Sequence, residues 1–588
     1  KCNSPMGRRL FQHQLTNPTF DEGWLSTEYS MISIMSDGEH YDMVDMFRKQ
    51  TSKLRDIDKL CRQIVVGTIY PSSIYRLHSS LDRIQQMNMC LIEDDKIINY
   101  LCESFIDMRE PENYGHIMDN KITEIMSFID KHLILEECQS VNSMNTFSSC
   151  IIQPGVSSTL DNVICNYNMA QCQFDEIRNI LNGFICHNEY KQNDNTEYIK
   201  VHETDKSGLS LVITVKRCEL LKQIINKRRS GDFMINVDDN MNFDLNNVKF
   251  VKASGNNLEI TFPELSTVCK QLLHYKSTMN KIIAETYMQV LVKLENHIES
   301  LEHISLYTAK IDVLTTKTFV SKKNNYCKPT IDCSCDKSYV NALDMRHCLI
   351  EQIQTDEIYV PNDINFGTNG SDGILLYGTN AVGKTSLIRA IGVCIIMAQS
   401  GMYVPCSSFV YKPYTAIFSR ILGNDNIFKG LSTFAVEMSE LRVILRLADE
   451  NSLILGDELC SGTEMESALS IFVAGLMELD KKRASYIFAT HFHEIVDYDE
   501  IANLERLSKM HMEVSYNREE DCLVYDRKLK SGSGPRIYGL EVCKSLHMEP
   551  AFLEKAYDIR NKYYPETKGV LSNKKSTYNA RKLKGMCE

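Results

Sequence analysis

Through most of the first 190 residues, apolar side chains recur every three or four positions. That spacing puts one stripe on one face of an α-helix. In PENYGHIMDNKITEIMSFIDKHLIL the stripe is Ile117, Ile122, Ile125, Met126, Ile129 and Leu133. SSTLDNVICNYNMAQCQFDEIRNILNGF repeats the pattern, with Ser158 or Asp161 as its cap. From about Glu197 the period drops to two: YIKVHE and LSLVITV alternate like half-buried strands, and VKFVKASGNNLEITF reads as two strands around a turn at Ser254–Asn257. After Pro263 the helical spacing returns through Leu265, Val268, Leu272, Met279, Ile282, Tyr287, Val290, Leu294, Ile298, Leu301 and Ile304, with no Gly or Pro before Pro329. A helix of about 40 residues would be about 60 Å long. The pattern predicts a strand-rich tip carried on long helices that go out and come back. A helical domain with a strand insertion of no special role is the plainer alternative. From about Ser321 strands and helices alternate, as in an α/β domain, and the stretch after Tyr563 is polar and basic like a linker.

The chemistry gathers in the alternating part. GILLYGTNAVGKTSLIRA, Gly373–Ala390, reads as a buried strand, a glycine loop and a helix, with Gly-x-x-x-x-Gly-Lys-Thr across Gly378–Thr385. Such a loop wraps a β-phosphate in backbone amides, here those of Thr379 to Lys384. Gly378 and Gly383 supply conformations a side chain would block. Lys384 reaches the β- and γ-phosphates, Thr385 offers a hydroxyl to Mg²⁺, and the helix points its positive end at the anion. Ser386, next on the helix, completes the nucleotide-binding set. In SLILGDELCSGTE an apolar strand ends in adjacent carboxylates, which are costly without a cation. Asp457 is expected to hold Mg²⁺ through a water, and Glu458 to polarise the attacking water. In YIFATHFHE another strand ends at Thr490-His491, where a neutral imidazole could hydrogen-bond the γ-phosphate. GLSTFAVEMSEL opens a helix at Ser432-Thr433, which alone is ordinary capping chemistry.

Composition narrows the classes. With 588 residues, 43% hydrophobic and 24% charged, the chain is long enough for three or four globular units. No apolar run is long enough for a membrane span and no secretory h-region follows the start, so no membrane partner is expected. The first residue is Lys1 rather than Met, which suggests a fragment or a processed form. The 21 cysteines are scattered through helix-like segments and read as free thiols inside a cell; Cys333 and Cys335 could be metal ligands, but no matching second pair lies nearby. A net charge of −12 gives no overall basic footprint, although a local basic stripe on an acidic body still suits DNA.

Taken together, Gly378–Thr385, Asp457-Glu458, His491 and Ser432 resemble an ATP-binding-cassette ATPase. In that class the signature loop of one subunit, here Ser432, completes the nucleotide site of another. Several segments resemble one family in particular, the MutS DNA mismatch-repair ATPases: GTNAVGKTS, MAQSGMYVP from Met397, IFSRILGNDNIFKGLSTFAVEM, RHCLIEQI from Arg346, IYVPNDI from Ile358, YGLEVCKSLHMEPAFLEKA from Tyr538 and MGRRLFQHQLTNPTFD from Met6. The resemblance implies ATP and Mg²⁺ as cofactors, Asn380 as a nucleotide-binding residue that the family's loop shares, Tyr359 stacked on adenine, and a homodimer formed through the ATPase domains around double-stranded DNA. It implies a multidomain chain: an α-helical core with long lever helices, a β-rich clamp insertion and an α/β P-loop ATPase domain of ABC type. The divisions are 1–188 for the core and outgoing lever, 189–262 for the clamp, 263–320 for the returning lever, 321–530 for the ATPase, 531–566 for a helical dimerisation region and 567–588 for a linker. Within the clamp, Lys216, Arg217, Lys227, Arg228 and Arg229 are the candidates for DNA phosphates.

The chain also departs from the family pattern. Leu459-Cys460-Ser461-Gly462-Thr463-Glu464 lacks the usual arginine, Val382 replaces a loop glycine, and Arg346-His347-Cys348 replaces Arg-His-Pro. The family's mismatch-reading motif is not covered. KSTYNARKLKGMCE resembles the entry to an HNH nuclease domain found in a MutS subgroup of large DNA viruses and soft-coral mitochondria, which would set the protein in a viral factory or a mitochondrion. A recombination or branched-DNA clamp of the same architecture is the alternative function.

Overall fold

The computed structural model describes residues 2–563 apart from 104–113, 187–196, 205–207, 228–232, 239–240, 253–254, 355–357, 368–370, 380–381, 421–432, 458, 460–463, 518–521, 535–538 and 547. The chain divides into two compact units, one of residues 1–3, 7–49 and 309–588 and the other of residues 4–6 and 50–308. Among the described residues no helix is long and apolar enough to cross a membrane.

In the first unit a six-stranded sheet runs in the spatial order Ala416–Arg420, Ser452–Asp457, Ser485–Ala489, Gly373–Tyr377, Leu507–Asn517, Cys522–Ser531. The first five strands are parallel and the last is antiparallel to its neighbour. Side chains alternate between faces along each strand. Ile374, Leu376, Leu455 and Ile487 therefore pack on one side with Ile388, Ile391 and Ile395 of helix Lys384–Gln399. Leu375, Tyr377, Ile454, Tyr486 and Phe488 pack on the other side with Leu441 of helix Thr433–Leu447 and Phe472 and Leu476 of helix Met465–Lys481. A sheet covered on both faces accounts for the continuously apolar strands GILLY and SLILG. Gly456 and Gly373 let the sheet hold rings, since a Cβ at either would stand 2.1 Å from Phe488 or Tyr486. A second, four-stranded sheet pairs Thr330–Ile331, Ser408–Lys412, Tyr339–Met345 and Asn362–Phe366.

In the second unit, helices Ser158–Cys186 and Pro263–Leu294 pack along each other. Phe174, Ile177 and Leu181 of the first meet Leu265, Val268 and Leu272 of the second, over Leu211, Ile213 and Ile260 of a sheet. That sheet has the order Lys200–Thr204, Gly208–Thr214, Asn257–Thr261, Lys249–Lys252 and is antiparallel throughout.

Three expectations are corrected here. The long returning helix is not continuous: a 3₁₀ turn at Glu295–His297 separates Pro263–Leu294 from Ile298–Lys323. No Gly or Pro marks it; His297 there sets its ring 5.2 Å from Phe128 and a nitrogen 3.7 Å from Glu124, so tertiary contacts accompany the change of winding. The strand-rich segment also contains a helix, Val215–Lys227, with Cys218 and Leu221 buried. Finally, neither Ser158 nor Asp161 caps helix Ser158–Cys186. The Leu160 amide donates to Ser157 Oγ, while Asp161 accepts from the Gly155 amide.

Candidate functional site

Strand Gly373–Tyr377 runs straight into the glycine loop. Gly383 caps helix Lys384–Gln399 with φ 106, a left-handed conformation that favours glycine. Gly378 has φ 152, and a Cβ there would press on Val382 Cγ1 at 3.0 Å. Lys384, only 5% exposed, folds its ammonium back across the loop. It donates to the carbonyls of Gly378 at 2.7 Å and Thr379 at 3.0 Å, and lies 3.4 Å from Nε2 of His491. The cation is thus centred over the loop, in reach of any anion that the loop amides hold.

The neighbouring strands deliver the other groups. Asp457 ends its strand in register with Ala489, and Leu376 is in register with Ala489 from the other side. The parallel sheet therefore brings Tyr377, Asp457 and His491 to one edge, the carboxyl end where α/β sheets hold ligands. Thr385 Oγ1 donates to Asp457 Oδ2 at 2.5 Å. Asp457 Oδ1 is buried and has no hydrogen-bond partner among the described residues, and neither has Thr379 Oγ1. An orphaned carboxylate oxygen beside a hydroxyl and a phosphate loop is a hard-oxygen donor set that fits Mg²⁺. Thr385 and Asp457 are the residues that would hold it. Cys333 and Cys335 offer no counterpart: among the described residues no group of three or more His, Cys, Asp or Glu could hold a metal.

Beside the loop lies a cavity of about 210 Å³ lined by Tyr359, Ile350, Gln354, Ser386, Met512 and Arg527, with Gly383 shared between cavity and loop. Burial pushes the Tyr359 phenol up to about 12, so the ring stays neutral. Of the lining residues, Ile350 begins the short helix Ile350–Ile353 and Gln354 is its C-cap. His347 Nδ1 accepts the amides of Leu349 and Ile350 at 3.3 and 3.4 Å, and burial lowers the pKa of that imidazole. Arg346 pairs with Glu351 at 3.0 Å and donates to the carbonyls of Asn324 and Asn325.

Of the residues singled out in the sequence, Gly378, Gly383, Lys384, Thr385, Asp457 and His491 meet at the sheet edge, and Tyr359 and Ser386 line the adjoining cavity. Asn380, Ser432, Glu458, Arg228 and Arg229 lie outside the described residues. Lys216, Arg217 and Lys227 are in the other unit, on helix Val215–Lys227, where the Arg217 guanidinium stacks 4.4 Å from the centre of the Tyr198 ring. Sequence reasoning missed Arg527, Gln354 and Met512. Arg527 has φ 54, unusual for a residue with a side chain, and its carbonyl accepts from Asn362. It also missed the buried pair of Arg420, at the end of its strand, with Glu437 of helix Thr433–Leu447 at 3.0 Å.

Residues 1–317 match MutS domain III, and residues 374–563 match MutS domain V. The chain is 28% identical to a DNA mismatch repair protein mutS homolog of Acanthamoeba polyphaga mimivirus, over 100% of this chain and 54% of that protein. It is also 28% identical to the mitochondrial DNA mismatch repair protein mutS homolog of Sarcophyton glaucum, over 100% of this chain and 55% of that protein. It is 24% identical to the DNA mismatch repair protein MutS of Finegoldia magna, over 94% of this chain. The chain spans a little over half the length of these relatives.

Proposed function

The chain belongs to the MutS family, and on that premise we propose that it is the DNA-clamping and ATP-hydrolysing part of a mismatch-repair protein. The observation that carries this reading is the group at the sheet edge: Lys384 centred over the glycine loop, with the Thr385–Asp457 pair beside it and one Asp457 oxygen unsatisfied. ATP would lie with its phosphates on the loop and its adenine in the cavity against Tyr359. Mg²⁺, when bound, would neutralise charge on the β- and γ-phosphates. Lys384 would also neutralise phosphate charge, and His491, 3.4 Å from Lys384, would contact the terminal phosphate. Glu458 follows Asp457 and is assigned to orient the attacking water. Ser432 is assigned to the partner copy's nucleotide in a homodimer.

Residues 189–262 would form the clamp on duplex DNA, with Lys216, Arg217, Lys227, Arg228 and Arg229 as phosphate contacts. The levers on either side of that segment would carry the nucleotide state to it. Binding through phosphates should weaken steeply with salt. The viral and mitochondrial relatives support a viral or mitochondrial setting. Replacing Glu458 with Gln tests the catalytic assignment. ATP binding should persist while turnover falls by at least about 100-fold. An unchanged turnover would remove Glu458 as the catalytic carboxylate.

A further inference from the structure

Lys317, on helix Ile298–Lys323, is fully buried, and so is its partner Glu28 on helix Glu22–Ser36. The ammonium lies 2.6 Å from Glu28 Oε2 and donates to the carbonyl of Ser400 at 2.9 Å. It also lies 5.5 Å from the centre of the Trp24 ring. A lysine withdrawn from water needs partners for its donors, and a carboxylate alone leaves others to place. Ser400 accepts one of them. Ser400 is the C-cap of helix Lys384–Gln399, whose first turn carries Lys384, Thr385 and Ser386. The cation therefore sits at the negative end of the helix whose positive end forms the glycine loop.

The cap is tightly built. Gly401 has φ 69, and a Cβ there would stand 2.7 Å from Glu28 Cβ, so the glycine lets Glu28 lie against the helix end. Next to Glu28, the Tyr29 hydroxyl donates to the carbonyl of Ala398 at 2.6 Å. The Lys317 ammonium thus joins helices 22–36 and 298–323 to the C-cap of helix 384–399 by charge-assisted hydrogen bonds, with the neutral Tyr29 bond beside them. Such bonds fix distance and direction, whereas apolar packing tolerates sliding. Buried ion pairs are often no more stabilising than apolar residues of similar volume. Stability alone is thus a weak reason for a charged pair here.

We propose that Lys317 and Glu28 are positioning residues that tie the far end of the glycine-loop helix to helix Ile298–Lys323, so that a nucleotide-driven shift of the first is passed to the second. This rests on the proposed ATP-dependent clamp. The test uses the full chain and the double variant Lys317→Met with Glu28→Leu, which leaves no unpaired buried charge. Two readouts are compared: amide hydrogen exchange over 309–323 with and without a non-hydrolysable ATP analogue, and the change in duplex DNA affinity that the analogue causes. In the wild type the analogue is expected to alter exchange over 309–323. In the double variant it should bind within about threefold of wild type, while the exchange response disappears and its effect on DNA affinity falls at least about 5-fold. An exchange response that survives in the double variant overturns the link. The absence of any response over 309–323 in the wild type overturns it without need of a variant. A wild type whose exchange responds but whose DNA affinity does not would refute the clamp and leave the link standing.

Discussion

One oxygen of Asp457 accepts the Thr385 hydroxyl, while the other is buried without a hydrogen bond among the described residues. A buried, unsatisfied carboxylate oxygen costs about 1–3 kcal/mol or more. A bound cation would satisfy that oxygen. Replacing Asp457 with Asn lowers that penalty and removes the ligand charge. The nucleotide-free variant is expected to melt no lower than wild type, while the extra stability given by Mg²⁺ and ATP together is lost. Thermal unfolding with each ligand, alone and combined, checks both halves. A variant still stabilised by Mg²⁺ with ATP as much as wild type would contradict the metal assignment.

At the scale of elements, the ring of His347 holds the first amides of the short helix Ile350–Ile353. His347 Nδ1 must be unprotonated to accept the amides of Leu349 and Ile350. Burial, with Arg389 nearby, lowers its pKa from the ordinary 6.5. The sign follows from that direction. Above about pH 6.5 the ring is neutral in both folded and unfolded chains, and its contribution is complete. Below it the unfolded chain takes up the proton first, and stability is lost at up to about 1.4 kcal/mol per pH unit. Asn at position 347 keeps an acceptor and cannot titrate. Between pH 7.5 and 5.5, wild type should therefore lose more thermal stability than His347→Asn. Equal losses would remove His347 as the group responsible.

Elements also separate what could be read from what could not. The glycine loop, the Asp457 strand end and the His491 strand end were legible because each needs only consecutive residues: an apolar run followed by its chemistry. The 3₁₀ break at Glu295–His297 was hidden because its partners, Phe128 and Glu124, lie far away in sequence. Helix Val215–Lys227 was hidden because it buries few apolar residues and directly follows the strand LVIT. Arg527 reaches the cavity from a strand far from the glycine loop, and Lys317 meets Glu28 across 289 residues. No spacing rule joins such residues.

For the molecule as a whole, the two halves of the proposal fall on different stretches of chain. The nucleotide groups belong to the unit of residues 1–3, 7–49 and 309–588, and the basic helix Val215–Lys227 to the other. The division falls within helix Ile298–Lys323. A nucleotide-switched clamp requires that ATP at Lys384 change what happens to DNA at the basic segment. The most direct test is the dissociation rate of duplex DNA, with and without Mg²⁺ and ATP, from wild type and from Lys384→Ala. ATP should change the wild-type rate by at least about fivefold and leave the variant's rate unaltered. A wild-type rate indifferent to ATP, or a variant that responds as wild type does, would contradict the account.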